Sequence, residues 1–203
     1  MSKEVKIILI NGKKRSGKDY FARLLQDELY KNKKTSYVIG FADPIKEIIS
    51  KTLNVSLSDL DTFKNDKEKI IVRKNGFQEI ITDFRQVLQT FGTEAMKPIF
   101  GDDIWVQLLI KKAKESNVDY VIVPDFRFLC EKISPITVKI RNDEIDNACK
   151  DSHASENELN DFKFSYTINN SGYRDINNEV KDFVKDILNG WKYKYYSRRN
   201  WLF

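Results

Sequence analysis

The run VKIILI (residues 5–10) gives way at Asn11 to GKKRSGKDY (residues 12–20), and Phe21, Leu24, Leu25 and Leu29 then recur at helical spacing. A β-branched strand, a glycine-bearing turn and a helix in direct succession form the context in which Gly12, Gly17 and Lys18 have the spacing of a phosphate-binding loop. In such a loop the amides of residues 13–18 turn inward, the helix N-terminus adds partial positive charge, and Lys18 reaches the β- and γ-phosphates. Asp19 stands where a Ser or Thr hydroxyl usually meets the metal ion. A carboxylate there can still hold Mg²⁺, directly or through water. The competing reading is a basic surface turn, but it leaves the flanking strand and helix unexplained. Lys13, Lys14 and Arg15 add charge beyond what one phosphate chain needs, so one of them is available to a second anionic ligand.

Outward from this turn, four more short apolar stretches read as buried strands: SYVIGF (36–41), DYVIV (119–123), ITVKI (136–140) and SYTIN (165–169). Near-continuous apolar strands separated by helical patterns predict a parallel sheet covered on both faces, an open α/β fold. Helices are expected over 18–31, 44–52, 102–115 and 175–189, the last stopped by Gly190. Another is expected from Asp83 as N-cap, with Phe84, Val87, Leu88 and Phe91 inward and Arg85, Gln89 and Gly92 on an adjacent stripe.

Residues 42–118 hold far more than one crossover helix, and the polar stretch 142–162 lies between the last two strands. The expected organisation is a single domain with core segments 1–41, 117–141 and 163–190. Onto it are set an insertion over 42–116, a lid over 142–162 and a tail over 191–203.

The 203 residues carry a formal net charge of +5 with both signs mixed, and 41% are hydrophobic. That balance suits an anionic small molecule as well as a nucleic acid. The longest apolar runs fall far short of the ~20 residues a membrane helix needs, and Lys3, Glu4 and Lys6 interrupt any signal-peptide pattern. Cys130 and Cys149 suggest no disulfide framework, and with His153 they make no convincing zinc site, so a cytoplasmic protein is expected.

The strand ending in VPDFR (123–127) delivers Asp125 and Arg127 to the carboxyl edge of the sheet, where α/β proteins bind ligands. Asp125 is placed to hold Mg²⁺ or orient an acceptor phosphate, and Arg127 to clamp a phosphate. The plain alternative is a capping Asp paired with its neighbour. Arg141, after the next strand, is a candidate lid cation, or else an ordinary surface Arg. FADPIKE (41–47) puts Pro44 and Lys46 in the first turn of a helix. Arg85, Gln89 and Thr93 offer a fork donor, an amide and a hydroxyl to an incoming nucleotide, and Trp105 a stacking face or a core ring. His153 lacks a partner for general-base work.

Taken together, GKKRSGKD (12–19), FADPIKE (41–47), LQTFGTE (88–94), DIWV (103–106), VPDFR (123–127), HASENEL (153–159) and INNSG (168–172) make the chain resemble phage-type deoxynucleoside monophosphate kinases over most of its length. The resemblance implies a P-loop three-layer α/β/α fold with a five-stranded parallel sheet, a helical acceptor-binding insertion and a short lid. It implies ATP- and Mg²⁺-dependent phosphorylation of a deoxynucleoside monophosphate in a cytoplasm, that of the host if the protein is phage-encoded. By position, Gly12, Arg15, Ser16, Gly17, Lys18, Asp19 and Tyr20 would hold ATP phosphates, with Asp19 and Asp125 on the metal. Asn170, in INNSG, would pass its backbone along the adenine. Lys14, Lys46, Arg85, Gln89, Gly92, Thr93 and Trp105 would line the acceptor site. Asp125, Arg127 and Glu131 would lie between the nucleotides, with Lys18, Arg127, Arg141 and Asp125 catalytic.

Similar loops, PIKE-like turns and D-x-R strand ends occur in animal-type phosphomevalonate kinases; the FGTE and DIWV pair favours the nucleotide. GWKYKYYSRRNWLF (190–203) continues past the point where the family is expected to stop, as an aromatic tail folded on its own domain or a contact for nucleic acid or a partner subunit. Small-molecule nucleotides are the expected partners; membrane and nucleic acid are not, and a homodimer is left open.

Overall fold

β1 (Lys6–Asn11) runs through the centre of a five-stranded, all-parallel sheet whose order is β2–β5–β1–β6–β7, where β2 is Ser36–Val38, β5 Tyr120–Val123, β6 Ile136–Arg141 and β7 Tyr166–Asn169. The computed structural model describes residues 4–60, 69–74, 78–134, 136–148, 158–171 and 175–190, and for 69–83, 85, 147 and 148 the backbone alone. The centre of the expected lid with His153, and the tail 191–203, lie outside the described residues.

The strands form where the apolar runs predicted them. Ile8 pairs with Ile122 on one side and with Ile136 on the other, and all four residues of β5 are buried. A strand with neighbours on both edges and cover on both faces has no place for polar alternation. Because all five strands are parallel, Asn11, Val123, Arg141 and Asn169 end at one edge of the sheet. The strand order reverses at β1, so the turn leaving β1 opens into the crevice where such sheets bind ligands.

α1 (Lys18–Lys31) buries Phe21, Leu25 and Leu29 of the apolar stripe read from sequence, and Ala22 beside them, while Leu24 is half-buried. Each large side chain there contributes about 1.5–3 kcal/mol of transfer free energy. α7 (Asn177–Leu188) answers with Val180, Phe183, Val184 and Ile187, and the rings of Phe21 and Phe183 sit 6.1 Å apart. Tyr166 packs its ring 5.1 Å from Phe183. Burial, and then the carboxylates of Asp186, Asp182 and Glu179, push its phenol above the usual value, so it remains a neutral packing group.

The chain divides into two units, Met1–Ile39 with Ala113–Phe203, and Gly40–Lys112. The second begins with α2 (Asp43–Leu53) and continues through an antiparallel pair, β3 (Lys69–Lys74) and β4 (Gln78–Asp83). There follow α3 (Phe84–Gln89), a π-helical stretch (Thr90–Ala95), α4 (Met96–Phe100) and α5 (Ile104–Glu115), which runs on into the first unit. The helices expected of the insertion are accompanied by the β3–β4 ribbon, which the sequence analysis did not name. Its sequence signal is Asn75–Gly76, a hairpin-type dipeptide between the β-branched runs IIV (70–72) and IIT (80–82). Asp83, expected as an N-cap, closes β4, and Phe84 opens α3 fully buried while Val87, Leu88 and Phe91 are half-buried. Among the described residues no helix is long and apolar enough to cross a membrane.

Candidate active site

The turn from β1 to α1 owes its shape to two glycines and one left-handed arginine. A Cβ on Gly12 would stand 2.5 Å from the Ser16 hydroxyl and 2.6 Å from the Ile140 carbonyl oxygen, so only glycine lets the chain pass β6 this closely. Arg15 has φ 67° and Gly17 φ 94°, and Ser16 N–H donates to the Lys13 carbonyl at 3.1 Å. Left-handed residues at alternate positions of a turn can aim successive amides toward one centre, which makes an anion-binding concavity.

No side chain caps the first turn of α1, so its amides and dipole remain available at the mouth of the turn. The Lys18 ammonium spans the turn, donating to the carbonyls of Gly12 at 2.6 Å and Lys13 at 2.8 Å. Ser16 is fully buried, and its hydroxyl has no hydrogen-bond partner among the described residues. A buried, unsatisfied hydroxyl, an uncapped helix start and a cradle that a Cβ would fill fit the phosphates of a nucleotide. Lys14, Arg15, Asp19 and Tyr20 are exposed around the turn.

The turn is braced on its far side by Asn170, beyond β7. The Asn170 amide donates to the Ser16 carbonyl at 2.9 Å, its backbone N–H to the Arg141 carbonyl at 2.7 Å, and its own carbonyl accepts from the Asn142 side chain at 2.9 Å. One residue thus joins the turn to the end of β6. Arg141 is exposed there and faces acids, 3.4 Å from Asp143 and 3.8 Å from Asp146 on α6 (Asp143–Ala148).

VPDFR is held to the same edge. Phe126 N–H donates to the Ile10 carbonyl at 3.1 Å, and the Asn11 side chain donates to the Phe126 carbonyl at 2.7 Å. The two bonds fix residue 126 against the last residues of β1, immediately before Gly12. Phe126 is fully buried beside Phe162 and Phe164, with ring centroids at 5.6 and 6.3 Å, while its neighbours Asp125 and Arg127 are half-buried. Glu131, expected between two nucleotides, is 7% exposed, and its carboxylate accepts the N–H groups of Arg127 at 2.7 Å and Phe128 at 3.0 Å. In this structure it shapes the loop that carries Arg127.

One polar pair next to the turn escaped the sequence reading. Asn11 is buried at the end of β1, and the Lys139 ammonium donates to its side-chain oxygen at 2.9 Å. The signal was present: a polar residue closing an apolar strand needs a buried partner.

In the second unit, Gly92 is the point where three elements meet. A Cβ there would come 2.6 Å from the Ile45 terminal carbon on α2, and the Trp105 indole N–H of α5 donates to the Gly92 carbonyl at 2.8 Å. Trp105 is 5% exposed, which agrees with the core-ring alternative over the stacking face, and its N–H holds the Gly92 carbonyl. Lys46 lies 3.6 Å from Asp43, whose carboxylate also accepts the Gly40 N–H at 2.7 Å. Gln89 is half-buried and Thr93 exposed, and for Arg85 only the backbone is described.

No curated protein matches the chain. The family model described as phosphomevalonate kinase matches residues 10–133. That span is more than half of the chain, and it takes in the phosphate-binding turn, the whole second unit, VPDFR and Glu131. With a turn shaped for nucleotide phosphates at the carboxyl edge of a five-stranded parallel sheet, the chain belongs to the phosphomevalonate kinase family and is a kinase, a phosphotransferase.

Proposed function

We propose that the chain phosphorylates a deoxynucleoside 5′-monophosphate, passing the γ-phosphoryl group of ATP to the acceptor's phosphate oxygen and yielding ADP and the deoxynucleoside diphosphate. The nucleophile is a phosphate oxygen that is already anionic, so no side chain need remove a proton from it; positioning and charge neutralisation supply the acceleration.

In this reading the amides of residues 13–18 and the Lys18 ammonium hold the β- and γ-phosphates. Asp19 and Asp125 are the residues that would hold Mg²⁺, which would supply neutralisation of the charge that develops on the transferring group. Arg127 clamps the phosphate in transit, Glu131 fixes the Arg127 backbone, and Arg141 adds a lid cation. Lys14, Lys46, Arg85, Gln89, Gly92 and Thr93 receive the acceptor, with Trp105 supporting Gly92. The cytoplasmic setting belongs to the same reading.

The observation that supports the nucleotide over other phosphorylated acceptors is the hydrogen bond from Trp105 to Gly92, because it joins FGTE and DIWV, the two stretches that carry the resemblance to deoxynucleoside monophosphate kinases, into one packed element. The family match favours a second reading, with mevalonate 5-phosphate as the acceptor.

ADP release measured across the four common deoxynucleoside monophosphates, mevalonate 5-phosphate and dephospho-CoA separates them. Turnover with at least one deoxynucleotide, and at least about tenfold above the other two in kcat/KM, is expected. Turnover confined to mevalonate 5-phosphate or dephospho-CoA removes the substrate assignment. Salt-sensitive DNA binding without any phosphoryl transfer points instead to a non-catalytic nucleic-acid-binding module.

A further inference from the structure

The Ser16–Gly17 peptide follows left-handed Arg15 and leads into left-handed Gly17, with Ser16 fully buried. A trans peptide is planar, with its C=O and N–H pointing in opposite directions, so whatever holds the Ser16 oxygen also aims the Gly17 N–H. The group that holds it is the Asn170 side-chain amide, at 2.9 Å. A Cβ on Gly17 would collide with that same nitrogen, so the absence of a side chain at 17 is what lets the clamp close.

A glycine peptide between two such conformations has little intrinsic preference against flipping. A flipped peptide would present a carbonyl where an anion needs an amide, and the resulting repulsion would weaken phosphate binding.

We propose that Asn170 is a positioning residue for phosphate binding: through its side chain it sets the Ser16–Gly17 peptide and keeps the Gly17 N–H turned into the anion cradle. The inference rests on the reading of residues 12–18 as a phosphate turn. It differs from an adenine contact, which would use the Asn170 backbone. That backbone is already engaged, its N–H on the Arg141 carbonyl and its carbonyl on the Asn142 amide, so side-chain variants leave the loop's own attachment in place.

The probe is inorganic tripolyphosphate, which has the phosphates of ATP and no base, titrated by calorimetry beside ATP into the full chain and its N170A, N170D and K18A variants. Asn170→Ala removes the donor; Asn170→Asp keeps the shape and sets a carboxylate oxygen against the Ser16 carbonyl. The expected result is an affinity for tripolyphosphate and ATP lowered alike, about tenfold in N170A and further in N170D, with thermal midpoints within about 2 °C of the native chain.

Weakened ATP binding with native tripolyphosphate affinity places Asn170 on the adenosine side and overturns the proposal. Lowered thermal midpoints with native affinities assign it a merely structural role and overturn it as well. If the native chain fails to bind tripolyphosphate, or K18A binds it equally well, the phosphate-turn reading itself falls, a result distinct from the other two.

Discussion

The phosphate turn and the turn around Gly92 are each built on a glycine pressed by a neighbouring element, yet they meet different kinds of neighbour. Gly12 faces a backbone oxygen of β6 and Gly17 the clamping amide of Asn170, whereas Gly92 faces the free end of the Ile45 side chain. The Ile140 oxygen that faces Gly12 cannot move without displacing the sheet. The Ile45 side chain can yield by one rotamer. Phosphate recognition made of backbone amides depends on where residues fall in the chain, while acceptor choice made of side chains depends on where each one points. The two regions should therefore fail differently under substitution.

The largest effect belongs to Lys18. Its ammonium already spans the turn between two carbonyls, where phosphate charge would concentrate. Lys18→Ala should lower ADP production about 10³-fold, the range for loss of a preorganised charge at a transferring group. Circular dichroism and the thermal midpoint should be unchanged; native turnover by this variant would remove the site. Gly12→Ala comes next. Its Cβ meets the Ile140 oxygen, which belongs to a buried strand, so the turn must deform. A loss of about 1–3 kcal/mol in denaturant unfolding is expected, with ATP affinity falling in step. Native stability would mean that β6 yields more than its burial implies.

This contrast also explains what could be read from the sequence. All five parallel strands, α1 and α7 were legible because burial on both faces leaves unbroken apolar runs, and a core-facing helix leaves a stripe such as Phe21, Leu25 and Leu29. The phosphate turn was legible because backbone sites are written as spacing. The β3–β4 ribbon was not read, since its runs KIIVRK and QEIITD lack strict apolar–polar alternation and a lone Asn–Gly is a short signal. Trp105 was ambiguous for a deeper reason: an aromatic ring at helical spacing looks the same whether it stacks on a ligand or packs a turn, and its burial, beside the hydrogen bond to Gly92, is what favours packing. Glu131 was likewise placed by position, but its work on the Arg127 and Phe128 amides is a matter of side-chain direction.

At Gly92 the expected effect is smaller and reparable. Gly92→Ala brings its Cβ against the Ile45 terminal carbon, a clash of about 1 kcal/mol that one rotamer change can relieve. Ile45→Val deletes that very carbon, at its own cost of about 0.5–1.5 kcal/mol. The double variant should therefore be more stable than the sum of the two single changes predicts, by about 0.5 kcal/mol or more. Under the proposed function, Gly92→Ala should raise the acceptor KM and leave the ATP KM alone. A matching rise in the ATP KM would erase the distinction between the two turns. Trp105→Phe keeps most of the ring and loses only the hydrogen bond to the Gly92 carbonyl, which is worth about 0.5–1.5 kcal/mol. It should shift the same acceptor KM in the same direction, by less than tenfold.

The smallest effect tests whether short distances alone predict importance. Lys112 and Glu47 lie 2.6 Å apart, as close as Lys18 and the Gly12 carbonyl, but their side chains are 31% and 43% exposed. Water screens both charges, and holding two long side chains in one geometry costs rotamer freedom, so the pair is worth about 0–1 kcal/mol. Lys112→Ala should leave unfolding free energy within about 0.5 kcal/mol of native and both KM values unchanged, and the small difference should vanish at high salt. A loss comparable to that of Gly12→Ala would show that this contact is shielded from water, and exposure could then no longer be used to rank the ion pairs of the second unit against the contacts of the phosphate turn.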